Sequence, residues 1–183
     1  MKEYIKVYNE VLPTEICTDM ISLFDKSKDQ QEVYDNDLMN FSQINLIKNN
    51  DTWEKYNNIL KDIFKKAIDQ YKYECNISDY QWPKKYGFEE FRLKRYEKME
   101  GSFKPHVDVK DYASAKRFLA FFIYLNSGEN GSDGGTEFEG INSVCQRKAG
   151  ALLMFPPLWV YPHAGLISET SSKYIVGSYL HYI

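Results

Sequence analysis

The chain has 183 residues, 43% of them hydrophobic, which is enough for one domain with a real core and too short for two comfortable ones. Its 23 basic and 26 acidic residues leave a net charge of −3, so there is no basic excess to track phosphates and nucleic acid is not the expected partner. No apolar run approaches the roughly 20 residues of a membrane-spanning helix, and MKEYIKVYNE lacks the apolar stretch of a signal peptide, so an intracellular, soluble protein is expected.

In chain order, YIKVYNEVL reads as a short strand, and PTEICTDMISLFDKS as an amphipathic helix with Ile16, Met20, Leu23 and Phe24 on one face and Pro13 and Thr14 as start signals. A longer helix is predicted through DTWEKYNNILKDIFKKAIDQYKYEC, with Tyr56, Leu60, Ile63, Ala67 and Tyr71 as its apolar stripe and Asp51 or Thr52 as its cap. From Phe88 the texture changes. FEEFRLKRYE, KRFLAFFIYLN, GALLMFPP and KYIVGSYLHYI are short runs rich in aromatic and β-branched residues, broken by turn residues such as NSGENGSDGG. The expected fold is α+β with a mainly β core, a sandwich or barrel, and N-terminal helices packed on one sheet. Residues 1–183 are taken as one domain, with 1–75 mainly helical support and 88–183 the β core. Cys17, Cys75 and Cys145 are odd in number and far apart, which argues against a disulfide framework or a structural zinc site.

The chain has three histidines, and one of them stands in FKPHVDV. If that stretch is extended, His106 and Asp108 share a face while Val107 points away. Alone the pair is weak evidence for a metal site, because a solvated histidine beside an acid arises often by chance and needs no explanation. A third ligand is offered by His163 in the apolar, proline-rich FPPLWVYPHAG, where an unpartnered imidazole would be costly to bury. Two histidines and a carboxylate with open positions beside them form the facial triad of non-heme Fe(II) oxygenases. His181 reads as a surface or edge histidine. Lys173 begins the otherwise apolar strand KYIVGSYLHYI; it either meets an anion or snorkels to solvent from the strand end.

Taken together, HVD at 106–108, His163, Lys173 in KYIV, IYLN at 123–126, GGTEF at 134–138 and RYEKMEGSFKPH at 95–106 resemble the 2-oxoglutarate and Fe(II)-dependent dioxygenases, in their prolyl 4-hydroxylase-like branch. The resemblance covers nearly the whole chain, including the opening VYNEVLPTEICTDMISLF. It implies a double-stranded β-helix, a jelly-roll or cupin-like barrel with the metal near its open end. It implies Fe(II) held by His106, Asp108 and His163, and 2-oxoglutarate held at its distal carboxylate by Lys173 with help from the hydroxyls of Tyr96 and Tyr124. O2 is the other cosubstrate, and ascorbate a candidate reductant. Many members carry a tryptophan where this chain has Tyr179, and Thr136 and Phe138 fall where members line the pocket.

The resemblance implies hydroxylation of an unactivated carbon with release of succinate and CO2, no side chain acting as acid or base. A prolyl residue in a peptide or protein is the expected substrate; a small molecule, another side chain, or a silent barrel serving as a binding module are the alternatives. The segments NISDYQWPKKYGF, VKDYASAKR and NSGENGSDGG are the expected substrate-facing loops, with Trp82, Tyr86, Tyr112 and Trp159 as aromatic platforms.

Overall fold

Two helices lie against one face of a long antiparallel sheet, and one end of that sheet curls over the other face to form a second layer. The computed structural model describes residues 2–129 and 133–183. Its elements are β1 (Lys6–Tyr8), α1 (Thr14–Lys26), β2 (Glu32–Asp35), β3 (Met39–Asn45), α2 (Asn50–Glu74), β4 (Tyr86–Phe88), β5 (Arg92–Tyr96), β6 (Ser102–His106), β7 (Arg117–Tyr124), β8 (Thr136–Phe138), β9 (Ser143–Cys145), β10 (Leu152–Phe155), β11 (His163–Gly165) and β12 (Lys173–Tyr182). The strands pair in the order β1-β10-β7-β12-β5-β3-β6-β11-β8-β9, with β2 added to β3 and β4 to β12. The path turns between its two layers at β3, which pairs with β5 over four residues and with β6 only at Met39 and Asn40. This nearly closed antiparallel barrel with two helices is the expected double-stranded β-helix.

Strand alternation explains which face does what. Leu93 of β5, Leu119, Phe121 and Ile123 of β7, Leu152 and Met154 of β10, and Val176 and Leu180 of β12 join Met20, Phe24, Leu60 and Phe64 of the helices in one buried cluster. The intervening residues, among them Lys94, Tyr96, Tyr124, Lys173 and Tyr179, line the barrel cleft. At the centre of the helix-facing core the Phe64 ring meets Phe121 at 4.5 Å and Phe91 at 5.4 Å, and truncating such a buried ring typically costs about 3 to 5 kcal/mol. A second, smaller cluster of Ala120, Phe138, Leu153, Phe155 and Tyr161 fills the barrel beneath the cleft.

Several expectations need correction. Besides its two helices the N-terminal part carries a hairpin not foreseen in the sequence, β2 and β3, which joins the main sheet. The cap of α2 is Asn49, so Asp51 and Thr52 lie inside the first turn. The buried stripe of α2 carries Trp53 and Phe64, while Ile63 is only partly buried beside it. β6 ends at His106, so Asp108 stands on the bend that follows. Of the turn NSGENGSDGG, residues 130–132 lie outside the described residues. All three cysteines are free, Cys17 and Cys145 buried.

Candidate metal and cosubstrate site

His106 and His163 are direct partners across the β6–β11 ladder. Antiparallel neighbours place their side chains on the same face, which sets the two imidazoles 4.4 Å apart between ring centroids. Each is oriented from behind. His106 Nδ1 lies 2.7 Å from the Lys104 carbonyl, and His163 Nδ1 lies 3.0 Å from that of Tyr161. A carbonyl can only accept, so both Nδ1 atoms donate and both Nε2 atoms are left for whatever lies in front. Phe103 stacks on His106 at 3.6 Å, and the Phe155 ring meets His163 edge-on at 4.7 Å.

What lies in front is Asp108. Its Oδ1 is 3.7 Å from His106 Nε2 and its Oδ2 is 3.5 Å from His163 Nε2, too long for good hydrogen bonds. One donor atom from each of the three residues falls within 4.8 Å of the others. Burial pushes the Asp108 carboxyl up, yet the facing imidazoles and the Tyr179 hydroxyl outweigh it and hold it at about 2. It is therefore an anion at neutral pH. Two imidazole nitrogens with fixed tautomers and one carboxylate, converging on a shared gap, suit a divalent first-row metal.

The position left in doubt by the sequence, Tyr179, has a plain geometric account. Its hydroxyl donates to Asp108 Oδ1 at 2.7 Å. The Arg117 guanidinium lies over its ring at 4.1 Å and is itself clamped by two hydrogen bonds to Glu89 at 2.8 and 2.9 Å. A tryptophan here could pack but could not place a hydroxyl on that carboxylate oxygen.

Deeper in the barrel, Lys173 is directly opposite Tyr96 across the β5–β12 ladder. The lysine is 2% exposed and Tyr96 is 3% exposed. The ammonium donates to the Leu166 carbonyl at 3.0 Å and lies 4.5 Å from the Tyr96 ring centre. No carboxylate pairs with it among the described residues. Burial, then the charge of Arg147, push it down to about 7. Room for its head group depends on Gly165, where a Cβ would stand 3.3 Å from Nζ. Gly165 is two residues along β11 from His163, so the ammonium lies on the order of 7 Å down the barrel from the histidine pair. The Tyr96 hydroxyl has no hydrogen-bond partner among the described residues, whereas that of Tyr124 bonds Thr136 Oγ1 at 2.6 Å. Tyr124 thus reaches the cleft already engaged, and Thr136 joins the lining. Phe138 is fully buried beneath, packed on Phe155 and His163.

Residues 91–181 match the family model of the 2OG-Fe(II) oxygenase superfamily. The chain belongs to that superfamily. It is a 2-oxoglutarate-dependent dioxygenase, an enzyme using Fe(II), 2-oxoglutarate and O2. Among curated proteins none matches its sequence significantly. Its fold is that of prolyl hydroxylases. The 2-oxoglutarate complex of the viral collagen prolyl hydroxylase of Paramecium bursaria Chlorella virus-1 superposes with a TM-score of 0.73 at 18% identity, covering 98% of this chain and 97% of that one. A Pseudomonas putida prolyl-4-hydroxylase gives 0.66 at 14% identity, covering 99% and 94%. The Trichoplax adhaerens prolyl hydroxylase, in complex with a hypoxia inducible factor oxygen degradation domain peptide fragment, gives 0.73 at 14%, covering 98% and 84%.

The oxygenase departs from expectation at the mouth of its cleft. Trp82 does not face the site: it packs edge-on against Phe118 at 5.2 Å and Tyr86 at 5.9 Å, with Lys72 over its ring. Tyr112 and Trp159 are 99% and 79% exposed, on segments joined by the Val109 amide and the Pro157 carbonyl. Neither lines the cleft. The outer groove is walled instead by Tyr34, Leu38, Met39 and Phe41 of the β2–β3 hairpin, opposite His106, Asp108, Lys110, Arg117 and Tyr179. His181 is not a surface residue; it is half-buried against Gly87, 4.0 Å from Glu89. Among the described residues no helix is long and apolar enough to cross a membrane.

Proposed function

We propose that the oxygenase hydroxylates a prolyl residue in a peptide or protein with release of succinate and CO2, using His106, Asp108 and His163 as the iron ligands and Lys173, Tyr96 and Tyr124 as the seat of 2-oxoglutarate. The observation that carries the reading is the convergence of two tautomer-fixed Nε2 atoms and an ionised carboxylate at the outer end of a cleft whose inner end holds an unpaired ammonium. When bound, iron and 2-oxoglutarate supply the oxidising chemistry toward O2 and the substrate carbon.

The chain's own residues supply position. The Lys104 and Tyr161 carbonyls hold the imidazoles, and Tyr179 holds one oxygen of Asp108, which directs the other toward His163. Lys173 receives the distal carboxylate in a charge-assisted hydrogen bond, and the free Tyr96 hydroxyl adds a donor beside it. Tyr124 stays on Thr136 and fixes the wall. Phe103, Phe122 and Phe155 keep the cleft apolar between its two polar ends and limit water near the reacting carbon. The prolyl reading is supported by the likeness in shape to prolyl hydroxylases and by an outer groove lined by the β2–β3 hairpin.

The test is succinate release by the iron-loaded protein with 2-oxoglutarate and a panel of proline-containing peptides, with mass analysis of the peptide. A gain of one oxygen on proline, stoichiometric with succinate, is the expected result. Succinate without any oxidised peptide, stimulated instead by free amino acids, would reject the prolyl substrate.

A further inference from the structure

The cleft holds a second lysine that the assignments above leave without a role. Lys94 is on β5 two residues before Tyr96, so its side chain shares the barrel face. It lies where the inner cleft opens to the outer groove and lines both, whereas Lys173 lines the inner cleft alone. Its ammonium is 4.6 Å from the Phe41 ring centre and 5.6 Å from that of Phe103. Among the described residues it makes no hydrogen bond and no carboxylate pairs with it.

The other cations of this groove differ. Arg117 is clamped by Glu89, and Arg92 by Glu90 at 2.8 Å with Glu89 at 3.8 Å. The acid on the strand next to β3, Glu32, is taken by Gln43 at 3.0 Å and by Tyr34 at 3.2 Å. Asp108, the one acid in the groove lining, is committed to the histidines and Tyr179. The groove therefore carries Arg92, Lys94, Lys110 and Arg117 against a single committed carboxylate, in a chain whose net charge is −3. Lys94 is partly buried, and an ammonium partly withdrawn from water without an anion carries a cost that two aromatic faces offset only in part.

We propose that Lys94 is a second anion site, which takes a carboxylate of the primary substrate next to the carbon that is hydroxylated. This rests on the oxygenase reading above and adds the substrate's chemistry: an acidic residue flanking the target in a peptide, or the α-carboxylate of a free amino acid. The cosubstrate's distal carboxylate belongs to Lys173, below Tyr96. The substrate's belongs to Lys94, above it, and Phe41 and Phe103 steer the incoming chain past the ammonium.

The experiment measures binding, so it does not depend on turnover. Full-length protein loaded with Mn(II) and 2-oxoglutarate without oxygen is titrated with matched pairs: proline peptides carrying Glu or Gln on either side of the proline, L-proline with L-prolinamide, and the remaining amino acids with their amides. The acid member of at least one pair should bind about tenfold tighter or more. Lys94→Met and Lys94→Gln should each erase that preference, and raising the salt should weaken it only in part, since the site is partly buried. If a non-proline pair shows the preference and no proline compound binds, the prolyl reading falls while the Lys94 site stands. No acid preference in any pair overturns the inference and leaves Lys94 as an aromatic clip. An acid preference that survives both substitutions, or a loss confined to 2-oxoglutarate affinity, overturns it as well.

Discussion

Lys173→Met should make the metal- and cosubstrate-free protein more stable and the enzyme worse. The ammonium is 2% exposed, has one neutral acceptor at 3.0 Å, and is displaced by burial from 10.5 to about 7. At about 1.4 kcal/mol per unit, holding it charged inside the barrel costs on the order of 5 kcal/mol. For a lysine whose folded value is lowered, that cost is fully present below pH 7 and fades as pH rises toward 10.5, because the unfolded chain then no longer gains by protonating it. Methionine keeps the stem and removes the charge, so after the lost bond to Leu166 a net gain of about 1 to 3 kcal/mol is expected at pH 6 to 7. For a chain of this size that is roughly 2 to 4 °C in Tm per kcal/mol, shrinking toward nothing near pH 10. The same substitution should weaken 2-oxoglutarate binding by about 1.5 to 3 kcal/mol, roughly 10- to 150-fold. Wild-type affinity should itself decline as pH rises above 7, since the bound dicarboxylate needs the charged form. Denaturation of the apo protein from pH 6 to 10 and anaerobic titration of the Mn(II) form with 2-oxoglutarate check both halves. Unchanged cosubstrate affinity, or a variant less stable at pH 6 than the parent, would refute the reasoning.

Asp108→Ala and His163→Ala should each abolish tight Fe(II) or Mn(II) binding while circular dichroism stays that of the parent, because the ladders and the helix-facing core do not use these side chains; loss of the fold would make the site structural. Tyr179→Phe removes only the hydroxyl on Asp108 and should weaken metal binding about 10- to 100-fold, as losing a partner behind a ligand typically does; equal Mn(II) affinity would reduce Tyr179 to packing. Phe41→Ala, on the hairpin wall, should impair substrate binding and spare 2-oxoglutarate affinity, whereas Trp82→Ala should cost about 2 to 4 kcal/mol of stability and spare substrate binding. Steady-state constants and urea unfolding of the pair would show the reverse if the 78–88 segment faced the substrate after all.

Elements with a strong period were legible in the sequence, and so were chemical groups out of place in their surroundings. Met20 and Phe24, or Leu60 and Tyr71, recur at helical spacing because one face of each helix is buried and the other is wet. His163 and Lys173 stood out as polar side chains in apolar runs. The β2–β3 hairpin did not, for a physical reason: β2 is exposed along its length, and β3 turns Phe41 and Gln43 toward a polar cleft, so EVYDNDLMNFSQIN shows no clean alternation. Its ladder partners β5 and β6 are about fifty and about sixty residues away in sequence, where no local pattern can announce them. Lys94 obeys the logic that singled out Lys173, since it shares a strand face with Tyr96. The neighbouring Arg92 disguised that face as a solvated one. Trp82 misled in the opposite sense, an aromatic in a polar loop that turns inward.

The site and the core are one decision taken twice along each strand. Leu93, Phe121 and Val176 face the helices, and that choice fixes which residues face the cleft: Lys94 and Tyr96 beside Leu93, Tyr124 beyond Phe121, Lys173 before Val176. Lys173 meets Tyr96 because they are ladder partners in the register that buries the helix-facing set, and His163 meets His106 as its partner across the β6–β11 ladder. Slipping β12 by one residue would send Tyr174 into the cleft and the Lys173 ammonium among Phe24 and Leu93, an exchange that desolvates a charge and exposes apolar area together. The penalty for that error far exceeds the cost of keeping Lys173 and Lys94 unpaired in the cleft. A sheet locked by its apolar face can therefore carry two uncompensated cations on the other, ready for the anions they lack.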